Sequence, residues 1–232
     1  MKRLLIVIPA LNEAGTLRDL LFSLSTEVPD ANVLVVNDAS EDETEAEAWA
    51  GGADVLSLAT RLGPWGATQA GIRRACELGF ENVLTMDADG QHLPETVAIL
   101  TSAMRNSGVD IVIGSAPVRG SVLRRIAWTM MRLFSGLPIT DLTSGFRMYN
   151  AEAINLIADE RATYLQYQDV GILALALERK LQMIEVAVEM APRQQGVSRI
   201  FNSWLSVGVY MLTTLLLGFS KRSRYKKVRQ IG

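Results

Sequence analysis

Cysteine and histidine are almost missing from this chain: Cys76 and His92 are single occurrences. One cysteine excludes an internal disulfide and a thiolate zinc cluster, and a lone thiol inside a helical stretch reads as core packing in a reducing compartment. An excess of charge is missing too, since 23 Lys and Arg face 25 Asp and Glu for a net charge of −2. Nothing in that balance asks for a nucleic-acid partner. The apolar run Leu4 to Ile8 is short and leads into Asn12 and Glu13 without a small-residue cleavage pattern, so it reads as a strand and not as a signal peptide. Internal repeats and low-complexity segments are also lacking. What is present is 232 residues, 49% hydrophobic and 21% charged, the composition of one sizeable globular domain.

Two periods alternate through the first half. Short β-branched runs occur at Leu4 to Ile8, Val33 to Val36, Val83 to Met86 and Ile111 to Ile113, with a weaker one at Asp54 to Leu58. Between them Leu17, Leu20, Leu21 and Leu24 fall at helical spacing, predicting a helix over 14–25, and 68–78 and 95–105 read the same way, the last opened by Pro94. Strands alternating with helices imply a mostly parallel sheet, with ligands at the carboxyl ends of its strands. Further helices are expected over 151–157 and 170–179, and a last strand over 182–188. Residues 120–137 read as a helix with Arg124, Arg125 and Arg132 against an apolar face, either an ordinary surface helix or one resting on an anionic surface.

The C-terminal stretch differs in kind. No charged residue occurs from Ile200 to Ser220, and Lys221, Arg222, Arg224, Lys226, Lys227 and Arg229 follow. The length would cross a bilayer, but with the sheet's ligand face in the cytosol a single crossing would carry the basic tail outside, against the positive-inside bias. A weakly polar stripe of Ser203, Ser206, Tyr210 and Thr213 favours a helix lying in the interface, its tail gaining roughly 1 kcal/mol per Lys or Arg from anionic lipid. The alternative is an apolar helix packed on the domain or on a second subunit, so an oligomer is compatible. The chain thus divides at 199/200, a domain over 1–199 and an interfacial helix with a basic tail over 200–232, at the cytoplasmic face of a membrane.

Chemistry concentrates in Met86–His92, MDADGQH, directly after a buried strand. Asp87 and Asp89 at i and i+2 can converge on one hard cation, with the Gln91 carbonyl oxygen beside them, a set suited to Mg2+ or Mn2+. Acidic residues after strands also serve turns and caps. Pro9-Ala10-Leu11-Asn12-Glu13 and Asn37-Asp38-Ala39-Ser40 place short polar side chains at the same sheet mouth. Asp38 can accept hydrogen bonds from a base or ribose, and Ser40 with Glu43 makes a capping box. His92 ligates the ion, touches phosphate, or caps or packs beside the helix begun at Pro94.

VIPALNE, VVNDASEDET, RLGPWGATQAG, MDADGQHLPE, Gly114-Ser115, DLTSGFRMY and RQQGVSR together resemble family 2 glycosyltransferases, and most of all their dolichol- or polyprenyl-phosphate mannosyl- and glucosyltransferase branch, over residues 3–199. The resemblance implies a GT-A fold, a Rossmann-like mixed and mostly parallel α/β sheet flanked by helices. It also implies a nucleotide diphosphate sugar donor of GDP-mannose or UDP-glucose type, a cation at Asp87, Asp89 and Gln91, and inversion at the sugar. Pro9, Asn12, Glu13, Asp38, Asp87 and Ala88 match the family's nucleotide-sugar pocket. Arg61, Leu62, Pro64 and Trp65 surround Gly63 and Gly66 where the family often carries Asn and Lys. Ala116 follows Gly114-Ser115 where many members have Arg, and Ser198-Arg199 closes the set in place of Ser-Lys.

In inverting transfer, charge grows on the leaving diphosphate, so a cation at Asp89 and arginines should carry catalysis. Arg193 and Arg199 are the candidates for closing over that diphosphate, with lipid headgroups as their alternative target. A polyprenyl phosphate acceptor is already anionic and asks for cations, which Arg119, Arg124 and Arg147 would supply. A hydroxyl acceptor asks for a base, a role that Asp169 matches unless it is a helix N-cap, and Asp141 is expected to orient Arg147. A catalytically silent lipid-binding subunit is a third class, against which the intact Asp87-Ala88-Asp89 stands.

Overall fold

Alternation along a single strand sets the architecture. In β1, Leu4–Ala10, the residues Leu4, Ile6, Ile8 and Ala10 join one buried cluster while Leu5 and Val7 join another. A strand apolar on both faces must lie between two helical layers, as in a parallel sheet. The computed structural model describes residues 4–116, 139, 141, 144–163 and 168–191. Within them β1 pairs in parallel with β2 (Asn32–Asn37) and β4 (Asn82–Thr85), and β2 with β3 (Asp54–Ser57). β5 (Ile111–Ser115) pairs in parallel with β7 (Met183–Ala187), and β6 (Arg147–Asn150) runs antiparallel between β4 and β5. The sheet order is β3-β2-β1-β4-β6-β5-β7, the mixed, mostly parallel sheet expected.

One layer holds α1 (Ala14–Glu27), α2 (Thr44–Ala50) and α4 (Val97–Ser107). The other holds α3 (Gly63–Glu77), α5 (Ala151–Ala158) and α6 (Gln168–Glu178). Helix α1 forms because its leucine spacing makes one face apolar. Leu17, Leu20, Leu21 and Leu24 are all at most 5% exposed, each burial stabilising by roughly 1.5–3 kcal/mol.

Four elements depart from expectation. Helix α3 starts at Gly63 and not at Thr68, because a carboxylate from another loop accepts its opening amides. Helix α4 starts at Val97, after a 3-10 turn over Pro94–Thr96. Helix α2 was signalled only by the Ser40–Glu43 cap, and no strand was expected at β6; the first is seven residues and the second four, too short to show a period. The helix expected over 120–137, Arg119, Arg124, Arg193, Arg199 and everything from 192 onward lie outside the described residues, and so does the division at 199/200. Among the described residues no helix is long and apolar enough to cross a membrane.

Candidate active site

The carboxyl ends of β1, β2, β4 and β5 open on one mouth. Pro9 and Ala10 end β1 opposite Val36 and Asn37 of β2. Beyond them Asn12 and Ala39 hold φ of 54° and 56°, the left-handed region that residues with a Cβ enter at a cost. Glu13 stands at the head of α1, its N–H donated to Thr44 Oγ1 at 2.9 Å.

Asp38 is 2% exposed, and its two carboxylate oxygens accept the N–H groups of Leu62 at 2.6 Å and Gly63 at 2.9 Å. The opening amides of a helix need acceptors, and here a neighbouring loop supplies one. A side chain expected to face a base or ribose is therefore engaged with α3. The Ser40–Glu43 capping box does not form either. Helix α2 starts at Thr44 with Asp42 Oδ1 accepting its N–H at 3.0 Å, and Ser40 Oγ accepts the Asn12 N–H at 3.0 Å.

After β4 the chain turns through Met86–His92. Gly90 has φ +71°, which glycine adopts without strain, and the turn lets Asp89 Oδ1 accept the Gln91 N–H at 3.1 Å. Thr16 Oγ1 donates to the carbonyl of Ala88 at 2.9 Å, and Gln91 O accepts from Ala191 N at 2.9 Å. His92 is 3% exposed; its Nδ1 accepts the Asp87 N–H at 3.2 Å, and its ring stacks on Phe146 with centroids 4.8 Å apart. The imidazole is thus a brace for the turn, and the 3-10 turn at Pro94 has no side-chain cap from it or any other residue.

Asp87 is the exposed residue of this turn, with 54% of its side chain accessible and its Oδ2 3.9 Å from His92 Nδ1, whereas Asp89 is 8% exposed. A Cβ placed on Gly145 would sit 3.1 Å from Asp87 Oδ1, so the glycine leaves the carboxylate its room. Among the described residues no group of three or more His, Cys, Asp or Glu side chains is gathered for a metal. Two carboxylates and an amide oxygen fit instead a hard cation that keeps water and phosphate oxygens in its shell, which is the habit of Mg2+.

The other half of the mouth buries its charges. Arg147 opens β6 between Thr85 and Ile113 and is 4% exposed, so it belongs to the floor of the mouth and not to an open rim. Glu185 flanks Ile113 from β7 and accepts the Asp141 N–H at 2.8 Å. Ser144 Oγ donates to Gly114 O at 2.5 Å, and Gly114 N to Phe146 O at 2.9 Å. Asp169 lies in the first turn of α6; its side chain is outside the described part.

The model of the family described as Glycosyl transferase family 2 matches residues 5–158. The chain belongs to that family. This family 2 glycosyltransferase is 34% identical over 229 residues to the undecaprenyl-phosphate mannosyltransferase of Micrococcus luteus, covering 91% of this chain and 93% of that one. It is 29% identical over 227 residues to the polyprenol monophosphomannose synthase of Mycolicibacterium smegmatis, covering 87% and 82%. Among solved structures, glucosyl-3-phosphoglycerate synthase from Mycobacterium tuberculosis, in complex with Mn2+, UDP-glucose and phosphoglyceric acid, superposes with a TM-score of 0.67 at 21% identity over 94% of this chain and 79% of that one. That likeness shows the shared fold.

Several tertiary bonds of the mouth and of the helix layer beside it escaped sequence reasoning. Asp42 and Thr44 tie the loops of the mouth together. Trp65, a departure in the glycine loop, donates its indole N–H to Ala162 O at 3.1 Å, and Gln69 Nε2 donates to Ile157 O at 2.9 Å. A capping signal ahead of α2 was legible, but in the register of Ser40 and Glu43 and not of Asp42 and Thr44. Trp65 stood out only as a departure from the family's glycine loop, and nothing local pointed to its bond with Ala162.

Proposed function

We propose that this glycosyltransferase moves a hexose from a nucleotide diphosphate sugar to a polyprenyl phosphate with inversion at the anomeric carbon. Asp87, Asp89 and Gln91 would hold Mg2+ or Mn2+. One observation carries the reading: the half-exposed Asp87 carboxylate above Gly145, on a turn whose neighbouring groups are tied down by Thr16, His92 and Ala191. The names of the Micrococcus luteus and Mycolicibacterium smegmatis relatives support the acceptor class. When bound, the divalent ion supplies positive charge against the departing diphosphate.

The protein's own residues do the rest. Asn12, Glu13 and the β2 loop, held in shape by Asp38, form the wall for the nucleotide, beside Pro9 and Ala88. Arg193 and Arg199 close on the leaving diphosphate. The acceptor arrives as an anion, so it needs positioning and no general base; Arg147 in the floor, with Arg119 and Arg124, takes its oxygens. Asp169 then has no catalytic task. The uncharged stretch 200–220 and the basic residues after it lie along the cytoplasmic leaflet, within reach of the lipid acceptor.

Two measurements test this. With Mn2+, GDP or UDP should raise the melting temperature of the wild-type protein, since a ligand that binds only the native state stabilises it. Transfer to polyprenyl phosphate should survive Asp169→Asn within about threefold, because losing a general base costs 10²-fold or more. A collapse of turnover in that variant would move the acceptor to the hydroxyl class, and absence of any manganese-dependent nucleotide binding would remove the enzymatic reading.

A further inference from the structure

The two loops that this reading gives to the donor nucleotide are not independent. Thr44 is fully buried at 0% exposure. Its hydroxyl oxygen accepts the Glu13 N–H at 2.9 Å and its hydroxyl proton goes to Asp42 Oδ1. Asp42 Oδ1 also accepts the Thr44 N–H at 3.0 Å, while Oδ2 accepts the Ala14 N–H at 3.2 Å. Further out, Ser40 Oγ accepts from Asn12 N at 3.0 Å and Asn12 Oδ1 accepts from Glu41 N at 2.9 Å. Four of these bonds cross from residues 12–14 to residues 40–44.

The bracket contains Asn12 and adjoins Ala39, the two non-glycine residues of the mouth in the left-handed region. Strained backbone of this sort persists only where surrounding bonds hold it, and it concentrates at ligand clamps. The amides of Glu13 and Ala14 belong to the head of α1, where helical donors need an outside acceptor, and the acceptors come from the β2 loop. Burial opposes charge on Asp42, but the hydrogen bonds from the Thr44 hydroxyl and amide and the Ala14 amide hold its carboxyl below the ordinary value. The acceptor therefore stays ionised at neutral pH.

We infer that Asp42 and Thr44 are positioning residues for the donor. They touch no substrate, and they lock the β1–α1 and β2–α2 loops into one wall in the shape the nucleotide meets. The inference rests on reading this mouth as a nucleotide-sugar site. The alternative is a bracket that only stabilises the fold, and kinetics separates the two. Loss of stability lowers the active fraction and hence apparent kcat, whereas a wall that must be re-formed by each donor molecule raises donor KM.

The test compares Thr44→Val, which removes the hydroxyl at nearly constant volume, with Thr44→Ser, which keeps it. Nucleotide sugar and polyprenyl phosphate are varied separately, and amide exchange is followed at Glu13 and Ala14. Thr44→Val should raise donor KM about fivefold to tenfold, the size of one or two lost hydrogen bonds. Its kcat and acceptor KM should stay within about twofold of wild type, exchange at the two amides should quicken, and Thr44→Ser should restore donor KM. Should Thr44→Val not fold, Asp42→Asn at an exposed position carries the same comparison. A fall in kcat with unchanged donor KM overturns the inference, as does a Thr44→Ser variant no better than Thr44→Val. Wild-type protein that turns over no nucleotide sugar removes the proposed function and this inference together, a result separable from any seen only in the variants.

Discussion

The mouth of the sheet has two halves built on different plans. Over β3, β2 and β1 the strands are all parallel, and the loops above them satisfy their own polar groups: Asp38 on Leu62 and Gly63, Asp42 on Ala14 and Thr44, Ser40 on Asn12. Over β6, β5 and β7 one strand is reversed, and Arg147, Asp141, Ser144 and Ser115 are polar side chains sealed within the structure at 2–8% exposure. Between the halves stands the Asp87 turn. The first half is organised before any ligand arrives, while the second concentrates charge in its floor. A donor whose nucleotide is constant and an acceptor that is already charged would divide between them in this way.

Breaking the junction should have the largest effect. Asp87→Ala is expected to lower transfer about 10³-fold, about 4 kcal/mol in barrier, and to abolish manganese-dependent stabilisation by nucleoside diphosphate. The denaturation midpoint should barely change, because the side chain is half-exposed. Asp38→Ala strikes the organised half. Losing two charge-assisted bonds from the opening amides of α3 should cost about 2–4 kcal/mol in denaturant unfolding. Affinity should fall alike for GDP and UDP, since the carboxylate holds the opening amides of α3.

Acid titration sharpens the contrast at smaller scale. The folded Asp42 carboxyl lies below its ordinary value, so its contribution is fully present above the unfolded value of about 3.9 and is lost as pH falls through the folded value. Thermal melts of wild type and Asp42→Asn should therefore differ by a constant amount at neutral pH and converge only below about pH 4. The smallest effect belongs to the second half. Ser115 Oγ is buried without a hydrogen-bond partner, so Ser115→Ala should leave the melting temperature unchanged or raise it, by up to about 1 kcal/mol in stability.

How much could be read in advance divides along the same line. The central strands and α1 were legible because burial on a sheet face or helix stripe repeats with a fixed period, as Leu17, Leu20, Leu21 and Leu24 show. The turn at Asp87 was legible because two carboxylates after a buried strand need a reason. Asp38 was found at the right place with a different partner, since nothing local reveals that an amide 24 residues on will arrive at its carboxylate. β6 was invisible as a strand: four residues beginning with a buried arginine carry no alternation, and only the pairing with β4 and β5 makes them one. His92 was assigned to three candidate tasks, and its stacking on Phe146 depends on a residue 54 positions away.

Reversing one strand has a topological outcome. Because β6 runs against its neighbours, its first residue lies beside the last residues of β5, and the contacts of Gly114 with Ser144 and Phe146 fasten the two ends together. The stretch from 116 to 143 accordingly departs from and comes back to a single point on the rim. Loop length enters closure entropy only logarithmically, so the register of β5 against β6 is set by these fastened ends and not by the number of residues between them.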